Sequence, residues 1–247
     1  MAAAASYIGC AGWSLPLSVQ AQFAGQGTHL QRYASRFNAS EINSSFHRPH
    51  SHQTYQRWAG SVPESFRFSV KLPRTITHDK RLAACEPLLD AFMGQASGLG
   101  SRLGCLLVQL PPSLAFDAAV AASFFEALRQ RWPGAISAEP RHPSWFGPEA
   151  DAVLSARQVA RVLADPVRHP DAAGPGGWPG LVYLRLHGSP RMYYSSYEPE
   201  LLCALASRVR LALRAGCPVW CIFDNTAGSA AADNALRLQQ ALEKEPA

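Results

Sequence analysis

The sequence predicts an α/β fold, a single (β/α)8 TIM-type barrel over residues 1–247 in which the sixth helix is missing or reduced. First, 247 residues is a common length for a barrel of this class. Second, eight short segments rich in β-branched and aromatic residues alternate with segments of helical periodicity, as in parallel strands joined by helices. Third, 47% of the residues are hydrophobic and 17% are charged, which suits a large core. An open doubly wound sheet is the alternative, although no GxGxxG sequence follows the first strand.

The predicted strands are the short segments in which Val, Ile, Leu and aromatic residues are concentrated. Each is followed by a longer stretch before the next, so the strands have room for the crossover connections that parallel pairing needs. They span 6–10, 39–43, 66–71, 105–110, 135–139, 159–164, 181–187 and 219–224.

The predicted helices lie between these strands. In the segment 117–131, apolar residues recur at steps of three and four, Asp117 is a suitable N-cap, and Arg129 and Arg131 end the helix before Pro133. After the sixth strand, residues 165–180 are too rich in Pro and Gly for a helix, which predicts that the sixth one is missing or reduced to a turn. The helices span 28–37, 52–59, 86–98, 117–131, 149–157, 199–215 and 229–243.

Neither membrane insertion nor export is predicted. The uncharged stretch 103–116 is rich in apolar residues, but it has only 14 residues and contains two prolines, whereas a membrane span needs about 20 apolar residues. The first ten residues show no basic region followed by a long apolar one. We therefore expect a cytoplasmic protein.

The net charge of +5 is compatible with an anionic ligand. Arginine supplies most of the positive charge and is spread along the chain without a Lys/Arg run, so a nucleic-acid partner is not favoured.

Several predicted strands carry polar side chains on one face near their C-terminal ends. Side chains alternate between the two faces of a strand, and Glu41, Lys71, Gln109, Glu139 and Arg185 each oppose apolar neighbours. Burying such groups without partners would cost several kcal/mol each, so they are expected to meet one another, water or a ligand. Barrel closure would gather them at the mouth, where enzymes of this fold hold their active sites. A salt-bridge network that only stabilises the barrel is the alternative interpretation.

Seven motifs are spread along nearly the whole chain: IGCAGWS at 8–14, EINSSF at 41–46, FRFSVKLPRTITH at 66–78, QLPPS at 109–113, AEPRHPSWF at 138–146, YLRLHGS at 183–189 and FDNTAGSAAADNA at 223–235. They resemble the motifs of the YecE-like family (domain of unknown function 72). This resemblance implies a (β/α)8 barrel and no established activity.

Two departures from the family pattern concern the expected site. This chain has His47 where the family often has Tyr, and it reads FDN where the family often reads FNN, so Asp224 adds a carboxylate. The predicted catalytic residues are Glu41, Glu139, His187 and Lys71. The predicted substrate-binding residues are Trp13, Asn43, His78, Gln109, Arg141, His142, Arg185, Tyr194, Asp224 and Asn225.

We expect this mouth to bind a polar anionic small molecule and, if the protein is an enzyme, to act as a hydrolase, lyase or isomerase without a metal or cofactor. Glu41 and Glu139 would transfer protons, and His187 titrates near neutral pH. Lys71, Arg141 and Arg185 would hold the negative charge, and Trp13 and Tyr194 would form an apolar wall.

Three other functions stay open at this point. Glu41, Glu139, His187 and Asp224 are ligand types that would suit a divalent ion, as in an isomerase-like or nuclease-like barrel. The basic net charge is also compatible with an enzyme that acts on nucleic acid. The third alternative is a sensor protein that binds a ligand without converting it.

Overall fold

Nine parallel strands form one sheet in the computed structural model, which describes residues 4–244. The predicted domain 1–247 therefore includes residues 1–3 and 245–247, which lie outside the described residues. The order across the sheet is β6-β5-β4-β3-β2-β1-β9-β8-β7. The strands are β1 (Ser6–Ala11), β2 (Ala39–Ile42), β3 (Arg67–Lys71), β4 (Leu103–Gln109), β5 (Ala135–Glu139), β6 (Val159–Arg161), β7 (Leu163–Asp165), β8 (Val182–Leu186) and β9 (Val219–Phe223).

The two ends of the sheet meet in one extended segment. The predicted strand 159–164 is divided into β6 and β7, with only Val162 between them. β6 pairs with β5 and β7 pairs with β8, while the Val162 amide donates to the Ala138 carbonyl oxygen at 2.8 Å. This segment pairs with the strands at both ends of the sheet, so the nine strands form a nearly closed barrel. The barrel has eight strand positions, one of which β6 and β7 share. The predicted barrel is confirmed, whereas its sixth strand is two short ones because the segment changes pairing partner midway.

Seven helices cover the outside of the barrel among residues 4–244. α4 begins as predicted, with Asp117 Oδ1 accepting from the Val120 amide at 3.0 Å. α1 ends four residues earlier than predicted, at Tyr33, because the Asn38 side chain binds the backbone of β1 and turns the chain into β2. The helices are α1 (His29–Tyr33), α2 (His52–Ala59), α3 (Glu86–Ala96), α4 (Ala118–Arg131), α5 (Pro148–Ala156), α6 (Pro199–Arg214) and α7 (Ala231–Glu243).

The connection from β7 to β8 contains no α-helix, which confirms the missing sixth helix. Its one helical element is a 3-10 turn at Pro170–Ala172. The buried Arg161 side chain donates to the carbonyl oxygens of Asp171 and Pro175 and so fixes this proline-rich segment against the barrel. No helix in the described part of the chain is long and apolar enough to cross a membrane.

The interior of the barrel changes from apolar to charged along its axis. Towards the N-terminal ends of the strands, the inward side chains belong to an apolar cluster that includes Ala39, Leu181 and Trp220. Further along the same faces, Glu41, Lys71 and the other polar residues follow, so the charged groups lie at the C-terminal mouth.

Candidate functional site

Seven polar side chains meet at the C-terminal mouth, and each is less than a tenth exposed. Four of them stand at or near the ends of the neighbouring strands β2 to β5, one stands near the end of β8, and two directly follow β8 and β9. They are Glu41, Lys71, Gln109, Glu139, Arg185, His187 and Asp224. Their contacts divide them into two groups.

The first group, called the Arg185 cluster here, consists of Arg185, Glu41, Glu139, His187 and Asp224. The Arg185 guanidinium contacts all three carboxylates. Nη2 lies 2.7 Å from Glu41 Oε1 and 3.0 Å from Asp224 Oδ2, and Nη1 lies 3.1 Å from Glu139 Oε2. Nε donates to both oxygens of Glu41. A planar guanidinium with five N–H groups is suited to such multiple pairing.

His187 completes this cluster by linking two of its carboxylates. Nδ1 lies 3.0 Å from Asp224 Oδ2, and Nε2 lies 3.1 Å from Glu139 Oε1. Burial lowers the pKa of His187, but the two carboxylates outweigh it and raise that pKa above its usual value. An imidazolium, which donates from both nitrogens, therefore fits this position.

The two carboxylates beside His187 are held ionised. Burial raises the pKa of Glu139, but Arg185 and His187 outweigh it and hold that pKa well below its usual range. The pKa of Asp224 is lowered by the same two partners against the same burial. Both groups are therefore suited to stabilise positive charge and not to deliver protons at neutral pH.

Glu41 lies beneath Arg185 and has no exposed surface. Besides Arg185, it accepts a hydrogen bond from Tyr183 Oη at 2.9 Å, and Ser69 Oγ lies 2.9 Å from the same hydroxyl. Sequence reasoning placed Glu41 in the catalytic group and left out Tyr183, although Tyr183 shares the polar face of its strand with Arg185 and His187. The structure makes Glu41 a buried counter-ion.

The second group surrounds an opening of about 460 Å³, called the Lys71 cavity here. Lys71 Nζ lies 4.0 Å above the centroid of the Phe46 ring, and no carboxylate oxygen of residues 4–244 is within 4.0 Å of it. The side chains of Gln109 and Asn43, which also line the cavity, make no hydrogen bond to any described residue. The Lys71 cavity thus presents three polar side chains, those of the buried Lys71 and Gln109 and of the half-buried Asn43, that make no hydrogen bond to a described residue.

Two basic side chains of the Lys71 cavity, Lys71 and His78, have lowered pKa values, so they lose their protons at a lower pH than usual. Burial and Arg185 lower the pKa of Lys71 to about 8, and the nearby carboxylates offset this only in part. Burial, together with Lys71, Arg74 and Arg141, lowers the pKa of His78 to about 4. The His78 ring packs edge-on to Phe46, the aromatic ring that also contacts Lys71.

Some predicted site residues lie elsewhere. Trp13 packs against Trp58 and Phe68 at the edge of the outer core. His142 Nδ1 accepts from the Ser144 amide and so caps the turn after β5. Neither residue lines the Lys71 cavity.

The remaining predicted residues lie around the mouth in different roles. Arg141 donates to Glu139 at 3.1 Å and lines a separate space of about 30 Å³ behind that carboxylate. Asn225 is fully buried and donates to the Ser195 carbonyl oxygen and Asn234 Oδ1, which anchors the loop after β8. Tyr194 is half exposed and Asp224 is buried, and both line the Lys71 cavity.

Sequence reasoning missed several lining residues of the Lys71 cavity. Four of them fall inside motifs that were already identified, namely Phe46 in EINSSF, Arg74 in FRFSVKLPRTITH, and Thr226 and Ala227 in FDNTAGSAAADNA, so their place in those motifs was the available signal. The others belong to loops whose path only the tertiary structure shows. The missed lining residues are Phe46, His47, Arg74, Tyr193, Thr226 and Ala227.

The donor set does not favour a metal ion. The carboxylates of Glu41, Glu139 and Asp224 converge on the Arg185 guanidinium, which lies where an ion bound by them would be. Within residues 4–244, no group of three or more His, Cys, Asp or Glu side chains has the arrangement of a metal site.

Comparison with known proteins identifies relatives of this chain. The family model described as "Protein of unknown function DUF72" matches residues 7–247. The UPF0759 protein YecE of Escherichia coli (strain K12) is 32% identical over 167 residues, which are 64% of this chain and 58% of that protein. This chain therefore covers less than two thirds of the length of that curated relative.

Two solved structures share the fold along almost the whole chain. A DUF72 family protein from Enterococcus faecalis V583 superposes with a TM-score of 0.78 at 22% identity, covering 98% of this chain and 97% of its own. A DUF72 family protein from Thermotoga maritima MSB8 has a TM-score of 0.77 at 24% identity, covering 97% and 100%. At these identities the likeness concerns the fold alone.

Proposed function

This chain belongs to the DUF72 family of proteins of unknown function, as its motifs indicated, and from its own geometry we propose that it binds a small anionic molecule in the Lys71 cavity. The observation that carries the proposal is the position of Lys71, whose side chain is 6% exposed and yet has no carboxylate within 4.0 Å among residues 4–244. A buried cation without a counter-ion is costly, and a bound anion would remove that cost.

The charges around the cavity support this proposal. Among residues 4–244, Asp224 is the one carboxylate on its wall, and it already contacts Arg185 and His187, so little of its charge is left to balance Lys71. Arg74 adds a second cation, and its one carboxylate partner in the described part of the chain is the exposed Asp79 at 3.2 Å. The cavity therefore favours negative charge.

The size and the polar lining of the cavity suit a small molecule. A volume of about 460 Å³ falls within the range of about 300–1,000 Å³ that is usual for ligand pockets. The unpartnered amides of Asn43 and Gln109 offer both donors and acceptors, which would fix the orientation of a bound carboxylate or phosphate.

For turnover, we propose acid/base chemistry in which His78 accepts a proton from the bound molecule. His78 lines the same cavity as Lys71, and its lowered pKa of about 4 keeps the imidazole neutral at pH 7, as a weak base that readily gives an accepted proton back. Glu41 lies too deep for this role, and both oxygens of Glu139 are engaged by basic side chains. The reaction class remains that expected from the sequence, a hydrolase, lyase or isomerase.

Isothermal titration calorimetry with inorganic phosphate, malonate, pyruvate and citrate tests the binding proposal. We expect saturable binding of at least one of these anions at a single site, weakened about tenfold or more in Lys71→Met and in Gln109→Leu. Lys80→Met is the matched control, because Lys80 is an exposed lysine nine residues further along the chain, and it should bind as the wild type does.

Two results would reject the proposal. One is that none of the four anions binds to the wild-type protein, and the other is that Lys71→Met binds them as tightly as the wild type. Tight binding of an oligonucleotide with a steep salt dependence, and of no small anion, would instead favour a nucleic-acid partner.

A further inference from the structure

We propose that Lys71 forms an imine with the carbonyl carbon of an anionic aldehyde or ketone, of which a small 2-oxo acid is the simplest. This inference rests on the proposed function, since the Lys71 cavity must first bind the anionic part of that molecule. It adds a covalent role for one atom, Lys71 Nζ.

The choice of amino acid at position 71 is the first observation. The sequence contains only three lysines, Lys71, Lys80 and Lys244, and 20 arginines. Lys80 and Lys244 are exposed, so Lys71 is the one buried lysine of the chain. Arginine holds an anion at least as well as lysine does, but a guanidinium stays charged and cannot act as a nucleophile. An amine at this position supplies something that the other basic side chains cannot.

The surroundings of Lys71 Nζ favour a nucleophilic amine. The three carboxylates of the mouth are engaged by Arg185 and its neighbours, so none of them holds the ammonium ion in place. Phe46 covers one side of the amine, and the open cavity lies on the other. Burial and Arg185 lower the pKa of Lys71 to about 8, which leaves a usable fraction of neutral amine near pH 7.

The other lining residues supply what imine formation requires. Arg74, Asn43 and Gln109 are placed to hold the carboxylate of a 2-oxo acid, and His78 is a neutral imidazole that contacts the same Phe46 ring as Lys71. Such an arrangement combines a positioned anion, a nucleophile and a proton carrier.

The step balances without an oxidant or a reductant. Lys71 Nζ forms a bond to the carbonyl carbon, and the π electrons move to the carbonyl oxygen. His78 carries one proton from the nitrogen to this oxygen, and a second proton comes from solvent. The carbon–oxygen bond then breaks and one water leaves, so that amine, carbonyl compound and one proton give a protonated imine and water.

Reductive trapping tests the inference. The full chain is incubated with pyruvate and sodium borohydride, which reduces an imine to a stable secondary amine, and the product is analysed by intact-mass and peptide mass spectrometry. We expect one adduct per chain, located on Lys71, with the exposed Lys80 and Lys244 as internal references. The rate of trapping should rise with pH around 8, following the pKa of Lys71, and not around 10.5.

Two variants separate this inference from the proposed function. Lys71→Arg keeps the positive charge, so it should still bind pyruvate in the calorimeter but form no adduct. Lys80→Arg should form the adduct like the wild type. If pyruvate binds to the wild type but its adduct is absent or spreads evenly over the three lysines, the imine proposal is wrong and anion binding stands. If pyruvate and the other three anions fail to bind and no adduct forms, both proposals are wrong.

Discussion

The Arg185 cluster and the Lys71 cavity lie side by side at the same end of the barrel, and both contain buried basic groups. In the cluster, each carboxylate contacts Arg185, and two of them also contact His187. In the cavity, Lys71 has no carboxylate within 4.0 Å in the described part of the chain. Complete pairing is what a buried network needs for stability, whereas incomplete pairing beside an open cavity indicates a place for a ligand.

The largest difference between the two regions should appear when each loses its basic residue. Arg185→Met leaves three carboxylates converging on an apolar side chain, so we expect a loss of about 3–5 kcal/mol in the free energy of unfolding, measured by urea denaturation. Arg131→Met is the control, because Arg131 pairs with Asp90 at the surface, and it should lose much less. Equal losses in the two variants would mean that the Arg185 cluster contributes no more than a surface pair.

Lys71→Met should instead raise the free energy of unfolding at neutral pH. The pKa of Lys71 is lowered from 10.5 to about 8, so between these values the unfolded chain binds a proton that the folded chain does not. The stability of the wild type therefore rises with pH through this window, and below pH 8 the buried ammonium destabilises the fold by about 3 kcal/mol. Lys71→Met has no ammonium group at this position, so it avoids this destabilisation.

The measurement is the difference in unfolding free energy between Lys71→Met and the wild type from pH 7 to pH 10.5. It should favour the variant at pH 7 and shrink as the pH rises from about 8 towards 10.5. A difference that does not change with pH would show that Lys71 titrates as an ordinary exposed lysine does.

Tyr183→Phe should have a smaller effect, which reaches the Arg185 cluster through Glu41. The substitution removes the hydroxyl that donates to Glu41, so a buried carboxylate loses one hydrogen bond, and we expect a loss of about 2 kcal/mol in thermal or urea unfolding. Tyr7→Phe is the matched control, because Tyr7 packs on the same Trp220 ring and its hydroxyl has no hydrogen-bond partner among residues 4–244. If both variants were equally stable, the hydrogen bond from Tyr183 to Glu41 would contribute nothing to the stability of the Arg185 cluster.

The smallest effect on stability is expected for Gln109→Leu in the Lys71 cavity. The Gln109 side chain is 7% exposed and makes no hydrogen bond to a described residue, so an apolar side chain of similar size should change the unfolding free energy by less than about 1 kcal/mol. A loss as large as that of Tyr183→Phe would indicate that Gln109 supports the fold and would weaken the comparison between the two regions.

The sequence by itself determined the barrel and the side on which its charged residues lie. Strand positions follow from local composition, and the alternation of polar and apolar residues places Glu41, Lys71 and Arg185 on inward faces near the strand ends. Both features depend on residues close together in the chain, so they can be predicted without knowing the tertiary structure. The Pro- and Gly-rich segment at 165–180 predicted the missing sixth helix for the same reason.

Only the tertiary structure decided which basic side chain pairs with which carboxylate. Glu41 and Lys71 stand on neighbouring strands, and the sequence placed both in the catalytic group. Arg185, 144 residues beyond Glu41, takes this carboxylate as its partner and leaves Lys71 without one within 4.0 Å among residues 4–244. Such pairing depends on distances across the barrel interior, which alternation along a single strand does not specify. The same reason explains why Trp13 and His142, though part of recognised motifs, lie outside the cavity.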